Sequence, residues 1–276
     1  MARRGIGSVG PVIRRALTRA ALRIAEKVSR PTPPPALPAS AMGLTFINPL
    51  GLAAGFDDSG KLLGALALCG FGSIEIGTLR TPAMLSAALA HISCHPRHAR
   101  IGINLAATDT GDTDETAERW RTLMGLAWDT ADYLVANLSG PRGAPVQVDS
   151  LITKVAMVGA TCRSLARARG SRTPLAVKFA LEQVPTAALG ILRDCGVDAM
   201  IGVSMDHLVI TRAVRALAPL QLISVGGVRD GKDIATRLTA GAALVQIHSV
   251  FCRRGPFFPR RMLVDLAERM MPLGGG

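Results

Sequence analysis

Aromatic residues are scarce in this sequence, at 4% of the chain, with two tryptophans and one tyrosine. Hydrophobic residues nevertheless reach 49%, so the core must consist mainly of Val, Ile, Leu and Ala. Such a core suits parallel strands that are buried on both faces. The chain also lacks any apolar run of about 18 residues or more, which argues against a membrane-spanning helix.

Cysteine is also rare. The five cysteines are odd in number and widely separated, at Cys69, Cys94, Cys162, Cys195 and Cys252. Because the sequence shows no secretory signal, we expect reduced thiols and a cytoplasmic location.

Acidic residues are few. The chain has 20 of them against 32 Lys and Arg, which gives a net charge of +12. Residues 1–30 hold eight basic residues and one acidic residue, and therefore more than half of this charge. The rest of the chain is only mildly basic, so we expect no nucleic-acid partner.

The basic N-terminal segment shows the spacing of a helix over residues 11–28. Its apolar stripe consists of Ile13, Leu17, Ala20, Ala21, Ile24 and Val28. This stripe either lies on an anionic membrane, at the inner face, or packs on the protein's own domain. Residues 31–39 contain five prolines and predict a stiff linker. We therefore expect residues 1–41 to be an extension that the domain at 42–276 does not need for folding.

Eight short apolar runs alternate with helical stretches along the remaining sequence, which predicts an α/β fold, a (β/α)8 TIM barrel. A barrel of this type needs about 250 residues, which fits the chain. The predicted strands are Gly51–Ala54, Ser73–Ile76, Ile101–Leu105, Tyr133–Asn137, Leu175–Phe179, Ala199–Val203, Gln221–Val225 and Leu244–Ile247.

Polar residues occur where these strands end, and the functional residues of such barrels lie there. Asn137 and Lys178 stand inside otherwise apolar strands, where a polar side chain is costly unless it is paired. They indicate either a binding site or a hydrogen-bond network that only closes the barrel. The segments Ser224–Val228 (SVGGV) and Ile247–Ser249 (IHS) follow the last two strands. Loops at these positions commonly bind phosphate.

Several blocks carry a resemblance to a known family. They are NPLGLAAGF at 48–56, GFGSIEIGT at 70–78, IGIN at 101–104, YLVANLSGP at 133–141, VKFA at 177–180 and AGAALVQIHSVFCRRGP at 240–256. In sequence and in order they resemble dihydroorotate dehydrogenase of the membrane-associated, quinone-using class. The resemblance covers roughly residues 44–271, and it implies an oxidoreductase of pyrimidine biosynthesis that binds flavin mononucleotide (FMN) and a small-molecule substrate.

Carried over residue by residue, the resemblance assigns a flavin site and a phosphate site. The residues that match flavin contacts are Ala54, Gly55, Thr78, Asn104, Asn137 and Lys178. Those that match phosphate contacts are Gly226 or Gly227 and Ser249, with His248 where the family usually has Tyr. Val203 stands where the family has a flavin-contacting Thr.

The substrate residues of the family are mostly replaced. Asp58 stands in place of a Lys, Gly140 in place of the Ser base, and Arg142 and Ser204 in place of two Asn. The family's substrate-covering loop is not recognisable in residues 79–100. We therefore assign no catalytic residue, and we expect orotate chemistry to be altered or lost.

His91, Cys94, His95 and His98 lie within 79–100, and their spacing resembles metal-ligand spacing only loosely. We interpret them as a polar loop and expect no metal. Two other functions stay open. One is a catalytically inactive flavin-binding scaffold that acts through a partner, and the other is a non-redox, phosphate-binding barrel enzyme.

Overall fold

The structure is a computed structural model that describes residues 10–28, 35–94, 99–107, 113–139 and 147–270. Eight parallel strands close into a barrel in the order β10-β3-β4-β5-β6-β7-β8-β9. They are β3 Leu50–Asp57, β4 Ser73–Leu79, β5 Arg100–Leu105, β6 Tyr133–Asn137, β7 Leu175–Ala180, β8 Ala199–Val203, β9 Gln221–Val225 and β10 Leu244–Ile247. All eight predicted strands are present, so the predicted (β/α)8 barrel is confirmed.

Helices surround this barrel. They are α1 Pro11–Val28, α2 Leu63–Ala67, α3 Pro82–Ile92, α4 Thr113–Ala127, α5 Val148–Arg169, α6 Thr186–Arg193, α7 His207–Leu217, α8 Gly231–Thr239, α9 Ser249–Arg254 and α10 Phe258–Met270. A short 3₁₀ turn covers Leu181–Gln183. In α5, buried Leu151, Val155, Val158 and Cys162 recur at helical spacing, so one face packs inward. The main core lies between the strands and these inward faces.

Helix α3 changes the interpretation of residues 79–100. Thr81 caps this helix by accepting a hydrogen bond from Met84 N at 3.2 Å, and Pro82 occupies its first turn. Both features favour helix initiation. His91 therefore lies in a helix, not in the predicted polar loop, with Nδ1 2.7 Å from Ala87 O. His95 and His98 lie outside the described residues.

A hairpin closes the N-terminal end of the barrel. Its antiparallel strands are β1 Ala39–Ala41 and β2 Leu44–Phe46. Phe46 packs edge-on against Tyr133 with ring centroids 6.4 Å apart, and Met42 N donates to Gln221 Oε1 at 2.7 Å. The hairpin begins at Ala39, on the N-terminal side of the expected boundary between 41 and 42. A truncated form should therefore start before Leu37, whose N–H donates to Ile47 O.

Helix α1 contacts α2 and α9. The face that packs consists of Thr18 and Leu22, both buried, with half-buried Arg15 and Arg19 beside them. Thr18 Oγ1 donates to Cys252 O at 3.0 Å. The predicted apolar stripe points elsewhere, because Ile13 and Leu17 are exposed, and so are Ala20 and Ala21. Among the described residues, no helix is both long and apolar enough to cross a bilayer.

Candidate active site

Three polar side chains meet at the C-terminal ends of β4, β5 and β6. Thr78 Oγ1 donates to Asn104 Oδ1 at 2.9 Å. Asn137 Nδ2 lies 3.2 Å from Thr78 Oγ1 and 3.3 Å from Asn104 Oδ1. Neighbouring parallel strands bring these residues together although they are up to 59 positions apart in sequence. The structure therefore assembles three of the six predicted flavin contacts into one hydrogen-bonded cluster.

Lys178 joins this cluster through a buried acid. It lies beside Asn137 in the β6–β7 register, and its Nζ is 3.4 Å from Glu75 Oε2. Asn104 Nδ2 donates to the same oxygen at 3.2 Å, and Ala54 N donates to it at 3.3 Å. Five of the six predicted flavin residues thus contact each other or Glu75 inside the barrel mouth.

Glu75 is a residue of the site that sequence reasoning did not single out. Its side chain is 0% exposed, and it stands in the apolar strand β4. The sequence does contain a signal for Glu75, because it is a polar residue inside an apolar strand. The same feature singled out Lys178. The sequence did not show that these two residues, 103 positions apart, are each other's partners.

Tyr133 lies fully buried below Glu75 in the barrel interior. Burial raises the pKa of its phenol well above the usual range, and the Glu75 charge raises this pKa further. The phenol therefore stays protonated, and it adds no charge to the Glu75–Lys178 pair.

The end of β3 supplies Ala54 and Gly55. Gly55 has φ +103°, which glycine adopts readily, and a Cβ there would lie 3.5 Å from His248 Nε2. The backbone of β3 thus approaches the predicted phosphate residue His248 closely. Two residues on, the buried Asp57 accepts hydrogen bonds from Ser59 N at 3.1 Å and Leu62 N at 2.9 Å, which fix the turn into α2.

The predicted phosphate loop follows β9. Gly226 and Gly227 have φ +106° and +69°, and a Cβ on Gly226 would lie 2.8 Å from Ser204 O. Both backbone angles favour glycine, and at Gly226 a side chain would in addition clash with Ser204 O. Because β9 pairs with β10, this loop lies next to His248 and Ser249, and Ser249 begins α9.

Arg237 bonds to the predicted phosphate loop from the side of α8. The sequence pattern does not single out this residue. This α8 residue is buried, and it donates to Ser224 Oγ at 2.6 Å and to Gly226 O at 2.5 Å. Burial lowers the pKa of its guanidinium, and the Asp233 charge acts in the opposite direction. An arginine still stays charged under these conditions. The sequence around it, TRLTAG at 236–241, is typical of an exposed helix and does not predict that Arg237 is buried.

The predicted substrate residues are not brought together. Asp58 is exposed, and its Oδ1 lies 3.5 Å from Arg19 Nη2 of α1. Ser204 is buried beside Gly226, and its hydroxyl accepts from Asp206 N at 3.0 Å in its own turn. Gly140 and Arg142 lie outside the described residues. Among the residues that are described, no group of three His, Cys, Asp or Glu could hold a metal ion.

Comparisons with known proteins agree with this geometry. A sequence model described as dihydroorotate dehydrogenase matches residues 203–270. A dihydroorotate dehydrogenase (quinone) from Stenotrophomonas maltophilia is 29% identical, over 80% of this chain and 81% of the relative. One from an Arthrobacter species is 28% identical, over 93% and 91%. Over most of its length the chain is similar to dihydroorotate dehydrogenases (quinone), at 28–29% identity. The segment that the sequence model matches includes both predicted phosphate loops.

Solved structures share the barrel fold of this chain. The DHODH of Eimeria tenella in complex with ferulenol has a TM-score of 0.75 and 21% identity, covering 94% of this chain and 92% of the other. The ligand-free form from the same organism gives the same score and identity, covering 96% of each chain. At this identity the likeness concerns the barrel alone.

Proposed function

We propose that this protein is a member of the dihydroorotate dehydrogenase family, and that it is an FMN-dependent oxidoreductase whose small-molecule substrate differs from dihydroorotate. The observation that supports it best is the cluster of Thr78, Asn104 and Asn137 with the Lys178–Glu75 pair at the barrel mouth. A network that only closed the barrel would not require a buried lysine at this level. Buried ion pairs contribute little net stability, and hydrophobic residues often replace them without loss.

The residues present fit a flavin. Within the described part of the chain, Lys178 Nζ bonds to Glu75 alone, so an ammonium with three N–H donors keeps donors for a ligand. Asn104 and Asn137 add amide groups that suit the polar edge of a flavin ring. Gly226 and Gly227 give a loop without side chains, as close approach of a phosphate requires.

Each of these groups has a chemical role at the site. Bound flavin supplies two-electron transfer. The Lys178 ammonium stabilises negative charge at the barrel mouth, and the amides and the Thr78 hydroxyl orient the ring. Arg237 keeps the phosphate loop in place. The side chains around the mouth have limited exposure, which strengthens these electrostatic contacts relative to water.

The substrate side of the site supports a different substrate. Gly140 has no side chain that could accept a proton, and Asp58 replaces a cation with an anion. A general base must lie within hydrogen-bond reach of the proton that it removes. The proposal therefore retains the flavin chemistry and leaves the substrate to be identified.

Titration with FMN tests this proposal. We expect the protein to bind FMN without covalent attachment, with a perturbed flavin spectrum and a higher melting temperature. Thr78→Val removes a hydroxyl that bonds within the cluster, so FMN affinity should fall about three- to tenfold. The matched control is Thr153→Val on the exposed face of α5, where the hydroxyl donates to Asp149 O of the same helix.

Three outcomes of the titration are distinct. Absence of flavin binding in the unmodified protein would favour the non-redox, phosphate-binding barrel. Flavin that binds but is reduced by no candidate substrate would favour the inactive scaffold. Equal affinities in Thr78→Val and Thr153→Val would show that the cluster does not contact the ring.

We also propose that α1 brings the protein to an anionic membrane surface. Ile13 and Leu17 are 57% and 61% exposed, on a helix whose opposite face packs on the barrel. Arg23 is exposed on the same helix. Apolar and basic residues side by side are the features with which amphipathic helices bind anionic interfaces.

Sedimentation with vesicles tests this proposal. The full chain should co-sediment with phosphatidylserine-containing vesicles, and a form that starts at Pro35 should not. Leu17→Glu should weaken binding at least about tenfold, because it removes buried apolar area and adds a repelled charge. Leu126→Glu on α4, also an exposed leucine, is the control. Equal binding of the two variants would refute a role for α1.

A further inference from the structure

Glu75 is a fully buried carboxylate whose charge the proposed flavin chemistry does not use. Burying a carboxylate is costly unless donors and a cation compensate it. Its Oε2 accepts from Lys178 Nζ, Asn104 Nδ2 and Ala54 N, at 3.4, 3.2 and 3.3 Å. Its Oε1 accepts a short hydrogen bond from Gln246 Nε2. Donors from four other strands therefore converge on this one side chain.

Three of these donors belong to residues that match flavin contacts, namely Ala54, Asn104 and Lys178. Glu75 thus holds the flavin-facing groups from the side opposite to the ligand. In particular, it determines where the Lys178 ammonium stands, since no other described residue bonds to Nζ.

The charge of Glu75 also changes what a ligand experiences. Lys178 alone would present a full positive charge to the barrel mouth, whereas the pair is neutral overall. In the dry interior, a second charge a few ångströms behind the first is weakly screened. The buried Tyr133 phenol stays protonated and does not alter this balance.

We propose that Glu75 is a positioning residue that lowers the redox potential of the bound flavin, by offsetting the Lys178 charge that would favour the reduced cofactor. This inference rests on the proposed FMN-dependent function. It predicts that neutralising Glu75 raises the midpoint potential of the bound flavin. Reduced flavin, which has more negative charge, should then bind more tightly relative to oxidised flavin.

The test uses the full chain with FMN and the isosteric change Glu75→Gln. The affinities for oxidised and for reduced FMN are measured anaerobically, together with the midpoint potential against a reference dye. The affinity ratio should move about tenfold in favour of reduced FMN, which equals about 30 mV for a two-electron couple. Glu118→Gln on the exposed face of α4 is the matched control and should leave the ratio unchanged.

Further variants separate charge from structure. Lys178→Met should shift the ratio in the opposite direction, and Glu75→Gln/Lys178→Met should return it towards the original value. If Glu75→Gln does not fold, comparing the double variant with Lys178→Met gives the same change of charge, and the shift must keep its sign. A merely structural Glu75 would leave both ratios unaltered.

The results distinguish the two proposals. If the unmodified protein binds FMN and Glu75→Gln leaves the ratio within twofold, the inference about Glu75 is overturned and the proposed function stands. If the unmodified protein binds no FMN, both fail together.

Discussion

Flavin-loaded protein mixed anaerobically with dihydroorotate should bleach its flavin band roughly 10²- to 10⁴-fold more slowly than a relative that has the serine base, the loss expected for removing a positioned base. By the family resemblance Gly140 corresponds to the serine base, and glycine has no side chain that could accept a proton. A dihydroorotate dehydrogenase whose loop contains the serine base, assayed side by side, gives the reference rate.

Two further replacements that the family resemblance indicates should also slow the reaction. Asp58 corresponds to a lysine of the family that would attract the carboxylate of dihydroorotate, and Arg19, 3.5 Å away on an exposed surface, only partly compensates the charge of Asp58. The Ser204 hydroxyl is occupied by Asp206 N in its own turn. A substrate without its positioning contacts reacts more slowly, and this effect adds to the effect of the missing base.

Two variants and one control define this experiment. Dithionite should reduce the flavin of this protein as fast as that of the reference enzyme, which would show that the bound cofactor can be reduced. Gly140→Ser alone should recover little activity, because the substrate contacts are still missing, and Gly140→Ser/Asp58→Lys should recover more. Bleaching by dihydroorotate within seconds in the unmodified protein would show that other residues have rebuilt the substrate site.

Arg237→Met should weaken FMN binding roughly tenfold to a hundredfold while leaving riboflavin binding almost unchanged. Its guanidinium bonds to Gly226 O at 2.5 Å and to Ser224 Oγ at 2.6 Å, and hydrogen bonds to a charged group contribute about 1.5–3 kcal/mol each. In a trans peptide the carbonyl and the following N–H point in opposite directions. Arg237 therefore aims the Gly227 N–H away from α8, as a phosphate donor needs.

Riboflavin separates the two ways in which Arg237 could act, because it has the same ring without the phosphate. Arg163→Met is the matched control, since Arg163 also donates to a backbone carbonyl, that of Cys195, but far from the site. Isothermal titration of both ligands with both variants gives the comparison. Equal losses for FMN and riboflavin in Arg237→Met would mean that Arg237 stabilises the barrel as a whole and has no specific role at the phosphate loop.

The sequence predicted the barrel because its signals are local. Each strand is a short apolar run between turn residues. Parallel strands that are buried on both faces are apolar throughout, so they can be recognised without knowing which strands they pair with. The polar residues at the ends of these runs were found for the same reason. Closure of eight strands then brings their C-terminal ends to one place, as the contacts of Thr78, Asn104 and Asn137 show.

The packing face of α1 could not be predicted in this way. The apolar stripe through Ile13 and Leu17 was expected either to pack on the domain or to lie on a membrane, and the face that the structure buries contains Thr18 and Leu22 instead. Arg15 and Arg19 lie on that face because Phe56 O, at the end of β3, accepts their hydrogen bonds. A long arginine side chain can pack its methylene groups and still reach an acceptor, so its charge does not forbid a buried position.

By itself, the sequence determined the α/β barrel, the order of its strands and most of the polar groups at its mouth, since these depend on neighbours along the chain. Only the tertiary structure decided which of those groups act on one another. Glu75 meets Lys178 across 103 positions and Gln246 across 171. Such pairs form because a buried charge must find its donors wherever the closed barrel brings them, and sequence distance carries no information about that.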